Sequence, residues 1–204
     1  MYNRCMQNFD DLVYENPTAL KTYVCDEIVD RFKKDERKKQ GVTTAGMLDT
    51  EIKKSIDLPI GTLEEWKDID TILFESVAEN IQLYGNKVHN GLGNVKPFPL
   101  WTNRVKDYGY NVKGYEPGDY FHWHVDRQAE NSWVRTVAFI WYLNDVKEGG
   151  ETEFIYGRSI KPQKGKLLMF PACWTYPHRG LSPKNGNKYI ITTFVYTEES
   201  DNVY

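Results

Sequence analysis

The sequence predicts an α+β fold that is mainly β, in which N-terminal helices support an antiparallel sandwich, barrel or jelly roll. Two segments of the first half have apolar residues at helical spacing. From about residue 108 onward, short β-branched and aromatic segments alternate with glycine-containing turns, a pattern that predicts antiparallel strands. Aromatic residues make up 14% of the chain, a share that suits strands and a lined pocket better than a plain helical bundle.

The length and composition indicate one globular domain over residues 1–204. A chain of 204 residues buries enough surface to form a core without disulfides or a structural metal. We expect residues 1–107 to form a helical support and a loop. Residues 108–204 are expected to form the jelly-roll half.

Charge, hydropathy and cysteine spacing argue against several classes of protein. The formal net charge of −3 gives no overall attraction to nucleic acid, so no nucleic-acid partner is expected. No apolar run approaches the roughly 18 residues that span a bilayer, and the first residues lack a secretory signal. We therefore expect a cytoplasmic protein without membrane contact. Cys5, Cys25 and Cys173 are odd in number and far apart, which argues against a disulfide framework or a cysteine zinc site.

The first helix is predicted within residues 18–39. Apolar residues recur there at every fourth position, at Leu20, Val24, Ile28 and Phe32. Gly41 follows as a plausible end of this helix. Residues 49–60 are then expected to contain a short strand.

The second helix is predicted between residues 62 and 85. Thr62 lies three residues before Glu65, as in a capping box, and Gly85 closes the apolar pattern. Residues 86–104 are rich in glycine, proline and asparagine and are predicted to form a long loop. Loops of this length often cover functional sites, so we expect a substrate lid here, with a simple connection as the alternative.

The second half contains four further segments that are predicted to be strands. These β-branched and aromatic segments are residues 134–145, 151–156, 165–172 and 188–197. Gly149, Gly150, Gly157 and Gly165 separate them. Their short and regular spacing is typical of antiparallel sheets.

The residues with the clearest chemistry are two histidines and one aspartate. His124 and Asp126 lie two positions apart, a spacing that points both side chains to the same face of a strand. His178 follows a later predicted strand. Two imidazoles and one carboxylate form the facial triad that holds non-heme Fe(II) and leaves coordination positions open for a co-substrate and dioxygen. A His-x-Asp pair alone could equally be a polar pair on a solvated strand.

Lys188 is a candidate anchor for an anionic co-substrate. It opens a predicted strand ten residues after His178. Strand alternation places it on one face with Ile190, Thr192, Phe194 and Tyr196. A lysine among such neighbours requires a carboxylate partner. The alternative is a solvent-exposed lysine at the start of a strand.

Four segments, taken in order, resemble the prolyl 4-hydroxylase family of Fe(II)/2-oxoglutarate dioxygenases. They are YEPGDYFHWHVD at 115–126, RTVAFIWYLN at 135–144, GGETEF at 149–154 and HRGLSPKNGNK at 178–188. The resemblance covers about 75 residues of the β half, and the first hundred residues are similar only as a helical support. It implies a double-stranded β-helix (jelly roll) and makes residues 108–204 the catalytic half.

The resemblance also implies roles for individual residues. His124, Asp126 and His178 would ligate the iron, and Lys188 would pair with the distal carboxylate of 2-oxoglutarate. Tyr142 would support the same carboxylate, and Thr152 and Tyr115 would complete the co-substrate site. For Tyr142, a core aromatic with a satisfied hydroxyl is the alternative. Arg135 matches a family position whose only expected role is a structural ion pair.

The sequence departs from the family pattern at two positions. Phe121 occupies a position that is often tyrosine, and Tyr189 follows the anchoring lysine where tryptophan is common. Neither change affects the three ligand positions. A lysine at the carboxylate anchor favours the collagen-type prolyl and lysyl hydroxylase branch.

The expected function is the hydroxylation of an unactivated C–H bond, with a prolyl residue of a peptide or protein as the main substrate prediction. The implied cofactors are Fe(II), 2-oxoglutarate as co-substrate and O2, with ascorbate as a candidate reductant. A free amino acid or another small molecule remains an alternative substrate. The oligomeric state stays open.

Two other classes of protein remain as alternatives. His122 and His124 form a His-x-His pair that is similar to the first metal motif of cupins, although the spacing differs. The second alternative is a binding module that keeps the barrel without its chemistry.

A peptide substrate could stack on a tryptophan of the barrel mouth, with Trp123, Trp133, Trp141 and Trp174 as candidates.

Overall fold

The computed structural model describes residues 9–43, 48–91 and 104–198. In these residues the chain forms two α-helices, α1 (Thr22–Lys34) and α2 (Lys67–Gly91), and short 3₁₀ turns at Phe9–Leu12 and Glu64–Trp66. The strands are β1 (Tyr14–Asn16), β2 (Lys39–Gln40), β3 (Lys53–Lys54), β4 (Ile56–Pro59), β5 (Val105–Lys106), β6 (Asn111–Tyr115), β7 (Tyr120–His124), β8 (Ala129–Glu130), β9 (Trp133–Tyr142), β10 (Thr152–Phe154), β11 (Ser159–Ile160), β12 (Leu167–Pro171), β13 (His178–Gly180) and β14 (Lys188–Glu198).

The strands form two antiparallel sheets. The major sheet has the order β1-β12-β9-β14-β6-β4-β2, with β5 paired to β14 and β8 paired to β9. The minor sheet has the order β11-β10-β13-β7-β3. This arrangement is a double-stranded β-helix, which confirms the predicted fold class.

Strand β9 separates two hydrophobic layers by simple alternation. Phe139 and Trp141 belong to the core between the major sheet and the helices. Ile140 and Tyr142 belong to the core between the two sheets, which also contains Phe154 of the minor sheet. Because successive side chains of a strand point to opposite faces, one strand serves both layers.

The two helices cover the outer face of the major sheet. The buried residues of α1 are Val24, Cys25, Ile28, Val29 and Phe32, which follow the predicted helical spacing. Helix α2 adds Ile69, Leu73, Val77 and Tyr84 to the same core. The described residues contain no helix that is long and apolar enough to cross a membrane.

Helix α1 is shorter than the sequence predicts. It ends at Lys34, because Asp35 has an extended backbone and accepts hydrogen bonds from the backbone and guanidinium of Arg37. Residues Lys39–Gln40 then pair with β4 instead of continuing toward Gly41 as a helix. The local turn at Asp35 therefore overrides helical propensity.

Helix α2 differs from the prediction at both ends. The predicted capping box at Thr62 and Glu65 is wrong, because Leu63 precedes a 3₁₀ turn and makes no side-chain cap. Gly85 does not end the helix, which continues to Gly91. Val88 packs against the hydrophobic core, and this contact explains the extension.

The predicted loop at residues 86–104 is wrong for its first six residues, which are helical. Residues 92–103, and with them most of the predicted lid, lie outside the described residues.

The first half also contributes strands that the sequence analysis did not assign. Residues 49–60, where one short strand is predicted, contain two, β3 and β4, which join different sheets. Strand β1 pairs with β12, and β2 pairs with β4. Residues 1–107 therefore complete the edges of both sheets as well as supplying the helices.

Candidate active site

The three candidate metal ligands lie together on two neighbouring strands of the minor sheet. His124 ends β7, and Asp126 follows it by two residues. His178 begins β13 and is paired in register with His124. Antiparallel pairing therefore brings together two histidines that are 54 residues apart in the chain.

The ligand atoms of these three residues converge. The Nε2 atom of His124 is 3.6 Å from Asp126 Oδ1, and the Nε2 atom of His178 is 3.5 Å from Asp126 Oδ2. One donor atom from each residue lies within 4.8 Å of the others. This spacing lets one ion contact all three donors.

Backbone carbonyls fix the orientation of both imidazoles. His124 Nδ1 is 2.7 Å from the carbonyl of His122, and His178 Nδ1 is 3.1 Å from the carbonyl of Tyr176. Each Nδ1 can therefore carry the proton, which leaves the Nε2 lone pair directed at the shared centre. Burial, followed by the neighbouring His178, lowers the pKa of His124 to about 3, so its ring is neutral and able to coordinate at physiological pH.

Aromatic rings surround the histidines. Phe121 stacks on His124 with 3.5 Å between ring centroids. Phe170 contacts His178 edge to face at 4.7 Å, and Phe154 lies 5.8 Å from it. Such walls limit the access of water to the polar centre.

The donor set fits non-heme iron. Two neutral imidazoles and one carboxylate on one side, with a cavity on the other, are the facial arrangement that suits Fe(II) and leaves open positions. His122 is exposed and does not belong to this group, so the geometry selects Asp126 rather than a cupin-like His-x-His pair.

The same cavity contains the candidate 2-oxoglutarate anchor. Lys188 is only 2% exposed, and its ammonium lies 5.2 Å from the ring centroid of Tyr115 and 5.9 Å from that of Tyr142. The ammonium forms no ion pair and no hydrogen bond with any described residue. Burial lowers the pKa of Lys188 to about 8. A buried ammonium of this kind is stabilised by an incoming carboxylate.

Tyr142 and Thr152 form a hydroxyl pair in this cavity region. The Tyr142 hydroxyl donates a hydrogen bond to Thr152 Oγ1 at 2.7 Å. Burial raises the pKa of Tyr142 well above its ordinary value, so the hydroxyl stays protonated and able to donate. Thr152 and Tyr115 line the cavity together with Lys188.

The alternation predicted for β14 holds over most of its length. Ile190, Thr192 and Phe194 line the cavity with Lys188. Tyr196 lies beyond an irregularity in the pairing with β9 and lines a neighbouring cavity instead.

Two smaller expectations differ from the structure. Trp141 is fully buried between the major sheet and the helices, so it cannot stack on a substrate. Trp174, at 73% exposure, and Trp123 remain accessible. Arg135 makes no ion pair with any described carboxylate, and it donates a hydrogen bond to the Tyr196 hydroxyl instead.

The sequence analysis missed a second, charged cavity beside Asp126. It has a volume of about 260 Å³, and its charged lining residues are Lys53, Asp57, Lys113, Asp126 and Arg135. One sequence signal could have indicated Lys113, which lies two residues before Tyr115 on the same strand and therefore on the same face. Lys53 and Asp57 carry no such signal, because pairing between distant strands places them here.

Comparison with known proteins agrees with this geometry. Residues 110–196 match the family model described as the 2OG-Fe(II) oxygenase superfamily. A probable prolyl 4-hydroxylase 9 from Arabidopsis thaliana is 26% identical in a 120-residue alignment that covers 45% of this chain and 42% of the plant protein. The aligned region thus spans less than half the length of that relative.

Several solved structures share the fold. A viral collagen prolyl hydroxylase from Paramecium bursaria Chlorella virus 1, in complex with 2-oxoglutarate, gives a TM-score of 0.66 at 19% identity, over 91% of this chain and 96% of that one. A Trichoplax adhaerens prolyl hydroxylase, bound to a hypoxia-inducible-factor peptide, gives a TM-score of 0.68 at 17% identity. The match covers 92% of this chain and 84% of that one. A Pseudomonas putida prolyl 4-hydroxylase gives a TM-score of 0.63 at 16% identity, over 94% of this chain and 97% of that one.

The fold and the grouped side chains define a double-stranded β-helix protein with a two-histidine, one-carboxylate site. The family match goes further, because residues 110–196 are similar to the 2OG-Fe(II) oxygenase superfamily. The predicted likeness to prolyl 4-hydroxylases is confirmed, and the cofactors of the superfamily, Fe(II), 2-oxoglutarate and O2, are those that the sequence predicts.

Proposed function

We propose that this protein is an Fe(II)- and 2-oxoglutarate-dependent dioxygenase that hydroxylates a prolyl residue in a peptide or protein. The observation that carries the proposal is the convergence of His124, Asp126 and His178 in one cavity with the buried Lys188, which has no ion-pair partner among the described residues. A metal triad and a cationic anchor in the same space match the two needs of a 2-oxoglutarate oxygenase. When bound, Fe(II) with 2-oxoglutarate and O2 supplies the oxidising chemistry.

The chain's own residues bind and orient the reactants. His124, Asp126 and His178 would hold the metal, with the imidazoles fixed by their carbonyl partners. Lys188 would pair with the distal carboxylate of 2-oxoglutarate, and the Tyr142 hydroxyl would exchange its bond to Thr152 for one to the same carboxylate. The aromatic walls would exclude water from the reacting centre.

The peptide substrate is supported by the relatives, which are described as prolyl hydroxylases. One of them is bound to a peptide fragment. We also propose that residues 1–204 act as one domain, because strands from the first half complete both sheets. The cytoplasmic location stays a prediction, to be tested by cell fractionation.

The cofactor site is tested by anaerobic titration of Fe(II) and 2-oxoglutarate into the apo-protein, with the visible charge-transfer band of the chelate as the signal. We expect the band with the wild-type chain. Lys188→Met should weaken the binding of 2-oxoglutarate by roughly ten-fold or more, since a buried charge-assisted hydrogen bond is lost. Lys184→Met is the matched control, because Lys184 is exposed and pairs with Glu148. Metal binding without a band would refute the assignment.

The substrate is tested separately by mass spectrometry. Proline-containing peptides should gain one oxygen atom in the presence of the complete cofactor set, and the His124→Ala variant should produce none. Oxygen added to free amino acids, but to none of the peptides, would favour the small-molecule alternative.

A further inference from the structure

The charged cavity beside the metal site joins the candidate 2-oxoglutarate cavity. Five residues line both cavities: Lys113, Phe121, Asp126, Thr192 and Phe194. Asp126 is one of these shared residues and also a candidate metal ligand. A molecule bound in the charged cavity therefore lies next to the position where the metal would react.

Two lysines in this cavity share a single carboxylate. Lys53 is 2% exposed, and its ammonium donates to Asp57 Oδ2 at 2.7 Å and to the Val42 carbonyl at 3.1 Å. The ammonium of Lys113 is 3.8 Å from the same Asp57 oxygen and donates no hydrogen bond to a described residue. Burial, followed by the charge of Lys113, lowers the pKa of Lys53 to about 8.

Arg135 adds a third cation to the lining. Its guanidinium donates to the Tyr196 hydroxyl at 2.6 Å and to the Asp126 carbonyl at 3.4 Å, and it lies 4.0 Å above the Phe194 ring. None of these partners is a carboxylate. Since the Asp126 side chain faces the two histidines, Asp57 is left to balance Lys53, Lys113 and Arg135.

The cavity wall also contains an unused hydrogen-bond acceptor. Asn111 donates through Nδ2 to Asp57 Oδ2 at 3.2 Å, which fixes the orientation of its amide. Its Oδ1 atom is buried and has no hydrogen-bond partner among the described residues. Since this atom has almost no accessible surface, it is closed to a molecule in the cavity.

We infer that the charged cavity binds a carboxylate of the substrate, and that Lys113, with its unused donors, is the residue that contacts it. This inference rests on the proposed function. Asp57 faces three cations in this partly enclosed cavity, and a substrate carboxylate supplies a second anionic partner. Lys53 acts chiefly by holding Asp57, which ties β3 of one sheet to β4 of the other.

A substrate carboxylate can come from two sources. In a peptide it is the side chain of an aspartate or glutamate next to the target proline. In a free amino acid it is the α-carboxylate. The chemistry at Lys113 is the same in both cases.

Four probes separate these sources. They are two capped pentapeptides with a central proline followed by Asp or by Asn, and the pair L-proline and L-prolinamide. Binding is measured by calorimetry to the protein loaded with Mn(II) and 2-oxoglutarate without O2, so that no turnover is needed. We expect the charged member of one pair to bind about ten-fold tighter than its neutral partner, as for a charge-assisted hydrogen bond. The pair that shows the preference identifies the source.

Variants of the protein then locate the contact. Lys113→Met should abolish the preference, and Lys113→Arg should largely restore it. Lys164→Met, a matched charge removal at a lysine that pairs with Asp26 on α1, should leave it unchanged. Should Lys113→Met fail to fold, as judged by its melting curve, Lys113→Gln takes its place, because it removes the same charge and keeps a polar side chain.

Several results would overturn the inference. Equal affinity within both pairs, no binding of any probe, or a preference that survives in Lys113→Met would each do so. Weaker 2-oxoglutarate binding in Lys113→Met with an unchanged substrate preference would instead assign Lys113 to the co-substrate. The charge-transfer band keeps the two proposals apart, since its absence refutes the cofactor site and its presence does not depend on the substrate.

Discussion

Both histidines of the candidate metal site are oriented in the same way. In each case Nδ1 lies close to the carbonyl oxygen of the residue two positions earlier, His122 for His124 and Tyr176 for His178. The backbone within the strand, or just before it, therefore sets the tautomer of each imidazole. No other side chain is needed to hold the proton on Nδ1. This makes the orientation of both imidazoles a property of the minor sheet and its adjoining backbone.

The charge of Lys188 predicts a pH dependence for 2-oxoglutarate binding. Burial lowers the pKa of this lysine to about 8, so the anchor is cationic below that pH and neutral above it. The carboxylates of 2-oxoglutarate are ionised throughout. We expect a Kd that is constant up to about pH 8 and rises by up to ten-fold per pH unit above it, because binding then requires the uptake of a proton.

The control for this profile is Lys188→Arg. A guanidinium stays charged over the whole range, so its profile should remain flat above pH 8 even if its affinity is lower. The profiles are measured through the anaerobic charge-transfer band. A wild-type Kd that does not change up to pH 10 would show that Lys188 is not the anchor.

At the scale of elements, the sequence predicts best where local pattern and burial agree. The alternation along β9 and β14 correctly places Tyr142 with Ile140, and Lys188 with Ile190, on the inner face. The His124 and Asp126 spacing predicts their common face for the same reason. The pairing that brings His178 beside His124 is different, because it follows from the family resemblance and not from the periodicity of either strand.

The sequence predicts poorly where distant pairing decides the structure. Strands β2 and β3 have two residues each, too short for a pattern, and they exist because β4 and β7 lie beside them. The cluster of Lys53, Asp57 and Lys113 has the same origin, since its members come from β3, β4 and β6. Helix α2 passes Gly85 because tertiary packing outweighs the weak helical preference of glycine.

One glycine joins two separate segments of the chain and gives a stability prediction. Gly165 has φ +84°, accepts a hydrogen bond from Leu20 N and donates one to the Tyr142 carbonyl. A Cβ atom at this position would lie 2.5 Å from the Leu20 carbonyl oxygen. We expect Gly165→Ala to lower the free energy of unfolding by about 2–4 kcal/mol, as backbone strain and a clash add.

Gly186→Ala separates the two contributions. Gly186 has φ +86°, and a Cβ atom added there would meet no other atom within 4 Å, so only backbone strain of about 1–2 kcal/mol is expected. Urea denaturation of both variants measures the difference. Equal losses would mean that the contact between Leu20 and Gly165 relaxes without cost.

At the scale of the whole molecule, the candidate site connects the two sheets. The three metal ligands belong to the minor sheet or its adjoining loop, whereas Lys188 and Tyr142 belong to the major sheet. Metal and 2-oxoglutarate together would therefore bridge the halves of the double-stranded β-helix. Ligands that bind only the folded chain raise its stability by mass action.

This bridge predicts a stepwise thermal shift. At one hundred times its Kd a ligand adds about 2.7 kcal/mol, which corresponds to a rise in Tm of roughly 5–10 °C for a chain of this size. Under anaerobic conditions Fe(II) alone should raise Tm, 2-oxoglutarate should raise it again only when metal is present, and a chelator should reverse both steps.

His124→Ala should lose both steps. Lys188→Met should keep the first step and lose about half of the second or more at the same ligand concentration, because its metal ligands are intact while its anchor is gone. Equal shifts in the wild-type protein and His124→Ala would place the metal elsewhere and contradict the assigned site.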